Sequence, residues 1–547
     1  MKHVLIFLLL TNIAAGATYY CDAAAAGTGN AGTEGDPFSE ADLTDLTQAW
    51  DLGDTIYCKG SFGTIDVLAQ EYGNVGTGHT TWSAWPGFTP DANVVQIRDT
   101  NYLKFDGWNL DAGWADAEKM YTINFSQAGA DEIYFKDCNI YGTRRINPSF
   151  GDFFPYYHAP AYGGVAQPYV IYVNTAAIND VTIDGCTFRH GFNFLELKRN
   201  STWIIKNSTF HRSGGNAGIN SGGDYGTDVH ITVQDCTFYD FKPYYGLYSY
   251  PGTETAGDWD NLSAYETITF STGATGIFWS WTGTYVQFWA DDENNLPTAA
   301  EADGTTITRD SDPSNYIFTK SGAVQQAHND CIVFPNDAGR PDNPCIIERC
   351  LFYNCHNDFL KSEGAENSDP NFIFRNNVCW TTEEGTADLD KHLLIGGGDV
   401  EIYNNIFISE HVGQIAFQIS SNAQSSIVVN NIISYVNTAC VPATTTVGYN
   451  IFMQSVGDID DDLEGTGDIY GQDFADIPAG NNRYFTDFTN NDYSVYNSSS
   501  PQVGTASAMY APSDDFIGTV RPQGGTDDIG AYEFIQNSVF YLFGVYQ

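Results

Sequence analysis

The triplet His-Asn-Asp occurs twice, as His328-Asn329-Asp330 and His356-Asn357-Asp358, each just ahead of a short apolar run in the same phase. If the two triplets open successive stacked strands, Asp330 and Asp358 lie about 5 Å apart. Carboxylates that close either share a proton or recruit a cation. The two aspartates are therefore the candidate metal ligands, with Ca²⁺ the candidate ion, and His328 and His356 are candidate substrate contacts beside them. His and Asn also satisfy backbone groups in tight turns, so a purely structural use stays open. A second cluster is basic: Lys198, Arg199, Lys206, His211 and Arg212 fall within one short stretch of a chain holding 23 Lys and Arg against 68 Asp and Glu. Such a patch suits an anionic sugar. Elimination across a uronate needs a base at the C5 hydrogen and positive charge at the carboxylate. Lys198 or Lys361 could act as that base, with Arg199, Arg212 and Glu363 as further catalytic candidates.

These residues sit on short apolar segments: FNFLELK (192–198), AGINSGG (217–223), NDCIVFP (329–335), NDFLKSEG (357–364) and KHLLIGGG (391–398). Putting Leu195, Ile219, Ile332, Leu360 and Leu393 inward turns alternate residues out. The expected outward set is Asn193, Glu196, Lys198, Asn220, Asp330, Val333, Asp358, Lys361, Glu363 and Lys391, with Glu196 and Asn220 as substrate contacts. Between these segments a pattern recurs: DVTIDGCTF, TWIIKNSTF, HITVQDCTF, then CIIERCLF, FIFRNNVCW, VEIYNNIF, IVVNNIISY and VGYNIF, with IYFKDCNIY earlier. Each is an alternating strand followed by a small residue and then an apolar, mostly aromatic one, at a mostly solenoid-like spacing. Stacking the copies puts Cys138, Cys186, Ser208, Cys236, Cys350, Asn377, Asn405, Asn431 and Asn450 in one column.

On these repeats the chain resembles the right-handed parallel β-helix family of pectate-lyase-like proteins, over nearly everything after residue 17. The resemblance implies an all-β solenoid with a glycan-handling groove on one face, in a family that includes lyases, hydrolases, isomerases and non-catalytic spikes. LELKRNSTWIIKNSTF is similar to the segment carrying the lysine base in alginate and chondroitin lyases of β-helix type, which places Lys198 on the base. The family's following LRHG-like motif is replaced here by Gly218-Ile219-Asn220-Ser221-Gly222, which leaves Arg212 to substitute for its arginine or the activity to differ. In β-helix lyases Ca²⁺ or arginine neutralises the substrate carboxylate. The ending Arg521-Pro522 through Asp528-Ile529-Gly530-Ala531-Tyr532-Glu533 is similar to a structural closing segment of secreted members.

Composition bounds the partners. A formal charge of −45 on 547 residues excludes nucleic acid and an anionic membrane as natural partners and fits a soluble extracellular protein. Residues 1–17 read as a secretory signal, and no stretch is apolar and long enough to span a bilayer. The chain holds eleven cysteines, of which the ladder thiols read as buried hydrophobes while Cys21 and Cys58, in two strands flanking a cap, are expected to pair. No CxxC motif has zinc spacing.

The expected layout is an N-terminal helical cap and first coils over 18–93, coils over 94–242, a β-rich insertion over 243–325, coils over 326–456 and a closing region over 457–547. Ser39 should cap a helix whose apolar face is Leu43, Leu46, Ala49 and Trp50. The long loop 143–168 carries Tyr156, Tyr157 and Tyr162, which either stack on sugars or cover the solenoid flank. Aromatics of the insertion, Phe278 and Phe288 among them, either bind sugar or form its own core. The acidic loop 457–476 lacks EF-hand spacing. Three functions fit: a polysaccharide lyase; a glycoside hydrolase using Asp330, Asp358 or Glu363 as a carboxylate pair; and a non-catalytic glycan-binding or spike protein, monomeric or trimeric.

Overall fold

The computed structural model describes residues 16–44, 50–68, 78–112, 121–127, 129–142, 144–146, 153–155, 169–173, 178–191, 193–197, 201–213, 217–220, 229–241, 247–256, 267–271, 273, 275–281, 285–290, 306–309, 317–320, 325–326, 330–334, 338–355, 358–362, 370–381, 391–409, 414–419, 423–434, 436–437, 445–453, 465–470, 485–487, 492–523 and 525–535. The chain is a parallel β-helix. Each coil gives one strand to each of three parallel ladders, as in Ser201–Lys206, Thr209–His211 and Ala217–Asn220. The first ladder, the back sheet, runs from Thr18–Asp22 to Thr445–Gly448 through 13 strands. The second, the flank ladder, pairs Asn139–Tyr141, Thr187–Arg189, Thr209–His211, Thr237–Phe241, Leu351–Cys355 and later strands in register. The third, the front ladder, stacks Tyr169–Val173, Asn193–Glu196, Ala217–Asn220, Asp330–Phe334, Leu360–Ser362 and Lys391–Ile395. Coils start at Thr18, inside the stretch expected to hold the cap and first coils, since Thr55–Lys59 and Thr80–Ala84 are already rungs of the back sheet.

The corner between back and flank holds the expected column. One residue ahead of each column member the chain takes a left-handed conformation, at Asp137, Gly185, Asn207, Asp235, Arg349, Asn376, Asn404, Asn430 and Tyr449. Gly, Asn and Asp tolerate that region best, which is why they dominate here. Behind them the amides form a continuous chain: Asn377 Nδ2 donates to Asn405 Oδ1 (3.1 Å), Asn405 Nδ2 to Asn431 Oδ1 (3.0 Å) and Asn431 Nδ2 to Asn450 Oδ1 (3.1 Å). The chain ends on Asp468, whose Oδ1 accepts from Asn450 N at 2.7 Å, a member that the repeat did not reveal. Two residues on, Phe188, Phe210, Phe238 and Phe352 stack with ring centroids 4.6–4.9 Å apart. Asn405→Leu removes the one oxygen, Oδ1, that accepts from both Asn377 N–H and Nδ2; Nδ2 keeps Ile347 O, but the buried N–H is orphaned. An orphaned buried group costs about 1–3 kcal/mol, and a fall of that size is expected, read as a lower denaturant midpoint.

On the back sheet's outer side, Lys104 pairs with Asp106 within one strand (2.8 Å), and opposite charges pair between coils: Lys206 with Asp184 (3.4 Å), Arg375 with Glu348 (2.6 Å) and, at the corner, Arg349 with Asp235 (2.8 Å). This ladder takes several of the chain's scarce cations, Lys206 among them.

Ser39 does cap the helix Glu40–Leu43, in a capping box with Asp42, and Leu43 and Trp50 are buried. The expected Cys21–Cys58 disulfide is not formed. The two residues are in-register neighbours on parallel strands, yet each thiol donates to a carbonyl instead, Cys21 to Ser39 O and Cys58 to Ile56 O, both at 3.6 Å. Between Leu247 and Gln326 lies the insertion, an antiparallel sheet of seven strands. Leu247–Ala256 pairs with both Tyr285–Ala290 and Ile317–Lys320, which closes six of the strands into a small barrel. Phe278 and Phe288 are buried with Ile268, Phe270, Val286 and Ile307, so these two aromatics form the insertion's own core.

The closing segment packs outside the flank ladder. There Thr187, Thr209 and Thr237 of the outer column give way to Leu351, Val378, Ile406, Ile432 and Ile451, of which the last four are buried with Phe485, Tyr493, Ile529 and Ala531. The column turns apolar where the chain folds back over it.

Candidate functional site

The front ladder has the frame expected of a groove. Leu195, Ile219, Ile332, Leu360 and Leu393 pair in register and are fully buried, each worth about 1.5–3 kcal/mol of transfer. The next residue in each strand makes an outward column: Gln96, Asn124, Tyr172, Glu196, Asn220, Val333, Lys361 and Leu394, paired rung by rung. Rungs are about 4.8 Å apart. Gln96, Tyr172, Asn220 and Lys361 are part-buried, while Glu196 and Asn124 are each only 5% exposed. A polar column with a lysine and a carboxylate three rungs apart thus runs along one face of the solenoid.

Asp330 and Asp358 do not belong to this column. Asp330 pairs with Ala217, as Asn193 does, two residues ahead of the buried Ile332, and Asp358 likewise precedes Leu360. Asn193, Asp330 and Asp358 are buried, at 0%, 1% and 4% exposure. The residues after them, Phe194, Cys331 and Phe359, lie in the hydrophobic core, and Tyr169, in register with Asn193, stacks on the outward Tyr172. The aspartates do stack: Asp358 N donates to Asp330 Oδ1 at 3.3 Å. Among the described residues no three His, Cys, Asp or Glu side chains converge so as to hold a metal.

Of the basic patch, Lys206 is on the back sheet and paired with Asp184, away from the front. His211 and Arg212 instead end the flank strand and turn the corner towards the front. His211 pairs with Arg189, and the residues after them, Arg212 and His190, both take positive φ, 59° and 57°. Burial pushes the His211 imidazole down to about 4, with the charges of Arg189 and Arg212 adding to the effect. The ring is neutral at pH 7, and the two guanidinium groups keep this corner positive. Arg189 went unnoticed in the sequence, although CTFRH and STFHR place a basic pair at the same point of successive coils.

A tyrosine platform was also missed. Tyr172 occupies the rung beside Glu196; its ring stacks on Tyr169 at 4.8 Å and lies parallel to Tyr121 at 6.5 Å. All three are part-buried. Aromatic faces of this kind suit the apolar face of a sugar ring. The signal was their position one residue off the buried column in YVIYV and at the head of YTINFSQ.

Lys198, Arg199, Glu363, His328, His356 and Tyr157 lie outside the described residues, as do Tyr156 and Tyr162. What the described geometry brings together is Glu196, Asn220 and Lys361 on the front, with Arg212 and Arg189 at its corner. No helix among the described residues is long and apolar enough to cross a membrane.

No protein-family model matches the chain, and no curated protein matches it in sequence. Among solved structures it is similar to a rhamnogalacturonan lyase, at 12% identity with a TM-score of 0.36 over 76% of this chain and 87% of that one. A likeness so distant carries no argument about chemistry, which rests on the site's own residues.

Proposed function

We propose that the protein is a secreted polysaccharide lyase that cleaves a uronate-containing glycan by β-elimination along the front ladder. The observation that carries this reading is the placement of Lys361 in the outward column, two rungs from Asn220, whose coil carries Arg212 at the corner, in a chain with a formal charge of −45. Cations gathered at one groove of so acidic a chain favour an anionic ligand. Lys361, as the free amine, takes the uronate C5 hydrogen as a proton. The C–H electron pair becomes the C4–C5 double bond, the C4–O bond breaks, and the leaving oxygen takes up a proton. Arg212, with Arg189 behind it, faces the uronate carboxylate and stabilises the charge that builds there as the proton leaves. Asn220 and Glu196 hydrogen-bond sugar hydroxyls, and Tyr172 with its neighbours holds the next sugar.

The test is to incubate the full chain with alginate, pectate and chondroitin, each with and without Ca²⁺, and to follow the ultraviolet absorbance of unsaturated ends. A rise on one of these polymers is expected. No rise and no new reducing ends on any polymer would leave glycan binding or a structural role in its place.

A further inference from the structure

Cys331 and Cys355 bring their Sγ atoms to 2.9 Å. Described thiols elsewhere also reach backbone carbonyls, Cys236 at 3.2 and 3.6 Å and Cys350 at 3.3 and 3.7 Å for example, as Cys355 does at 3.5 and 3.9 Å. Cys331 follows Asp330 on its front strand, and Cys355 ends the flank strand of the next coil. The two residues are 0% and 6% exposed, so the pair bridges successive coils inside the corner that presents Asp330 and Asp358. A covalent S–S bond is about 2.05 Å long, so closing this gap asks each sulfur to move only about 0.4 Å.

We propose that Cys331 and Cys355 form a disulfide when the chain folds in an oxidising compartment. Two S–H bonds break and one S–S bond forms. The two protons and two electrons pass to a disulfide of the exchange type, such as oxidised glutathione, which leaves as two thiols. The bond forms during folding, because the finished fold seals both sulfurs from solvent and burial holds the Cys331 thiol well above the ordinary range. It ties the strand carrying Asp330 to the turn leading into Asp358. The sequence-based choice of Cys21 and Cys58 is thereby replaced by a pair without a sequence motif.

The full chain, exported or refolded in a glutathione couple, is denatured with an alkylating agent and no reductant, then weighed and mapped after trypsin. Expected are nine alkylated cysteines of the eleven in the chain and one linked peptide pair joining Cys331 to Cys355, which Arg349 separates. Cys355→Ala leaves all ten remaining thiols alkylated, whereas Cys379→Ala keeps the linked pair. Eleven alkylated cysteines in the wild type, or a link between other residues such as Cys21 and Cys58, overturns the proposal. None of these readouts depends on the activity proposed above.

Discussion

Lys361→Ala lowers kcat for elimination by about 10²- to 10⁴-fold, the range a positioned general base contributes, while the fold is retained. The side chain lies on the outer side of the front ladder, part-exposed, beneath no core residue, and its removal leaves the Ile332–Leu360–Leu393 column untouched. Lys361→Arg keeps the positive charge but loses the ability to shed a proton, since arginine stays charged throughout the working range. It should therefore bind polymer like the wild type and turn it over as poorly as the alanine variant. Steady-state kinetics separates the two effects, because loss of the base falls on kcat and loss of charge on KM. An unchanged kcat in both variants takes the base away from Lys361.

The second large effect concerns stability. Arg521→Leu costs about 3–5 kcal/mol, the amount typical of removing one partner from a buried ion pair. Arg521 lies under the closing segment with a fully buried side chain. It donates from Nη1 to Asp528 O and from Nη2 to Gly530 O, both at 2.8 Å, and its Nη1 lies 3.5 Å from Glu533 Oε2. Asp515, Asp527, Asp528 and Glu533 all feel its charge, and burial raises the pKa of each of the four. Without the guanidinium, four buried or nearly buried acids face one another. The loss should show as faster hydrogen exchange across 492–535 and exposure of the Val378–Ile406–Ile432 column. Arg521→Lys does not rescue it, since one ammonium cannot reach two carbonyls and a carboxylate in the geometry of the fork.

The same cluster sets a pH dependence. Burial lifts Glu533 from 4.5 to about 7. The folded form therefore binds more protons than the unfolded one between those values, and stability falls as pH rises through that window. Glu533→Gln flattens this part of the profile.

The corner column was readable in the sequence because stacking asks the same residue type of every coil: Asn377, Asn405, Asn431 and Asn450 must each bond the next. The first coils were not, because Trp108 stands where later coils put a thiol or amide, its Nε1 donating to Trp82 O at 2.7 Å. The buried column of the front ladder was equally plain, from Leu195 to Leu393. The burial of Asp330 and Asp358, at 1% and 4% exposure, had no counterpart in the sequence pattern, which marks alternation and not what covers a strand. The positions of Tyr169 and Tyr172 in YVIYV were visible, but the platform they share with Tyr121 forms only when the strands Tyr121–Gln127 and Tyr169–Val173 stack. Closure of the insertion was hidden for a like reason: Leu247–Ala256 meets Tyr285–Ala290 across a long stretch of chain. Alternation identifies a strand's faces and says nothing about its partner.

The proposed chemistry at the front ladder is elimination and not hydrolysis. The most direct test is the mass of the smallest oligosaccharide released from a uronate polymer. Elimination predicts fragments carrying one unsaturated uronate, one water lighter than the saturated fragment, and their loss in Lys361→Ala. Fragments that have all gained a water, still formed by that variant, would contradict the account and assign cleavage to a pair of carboxylates.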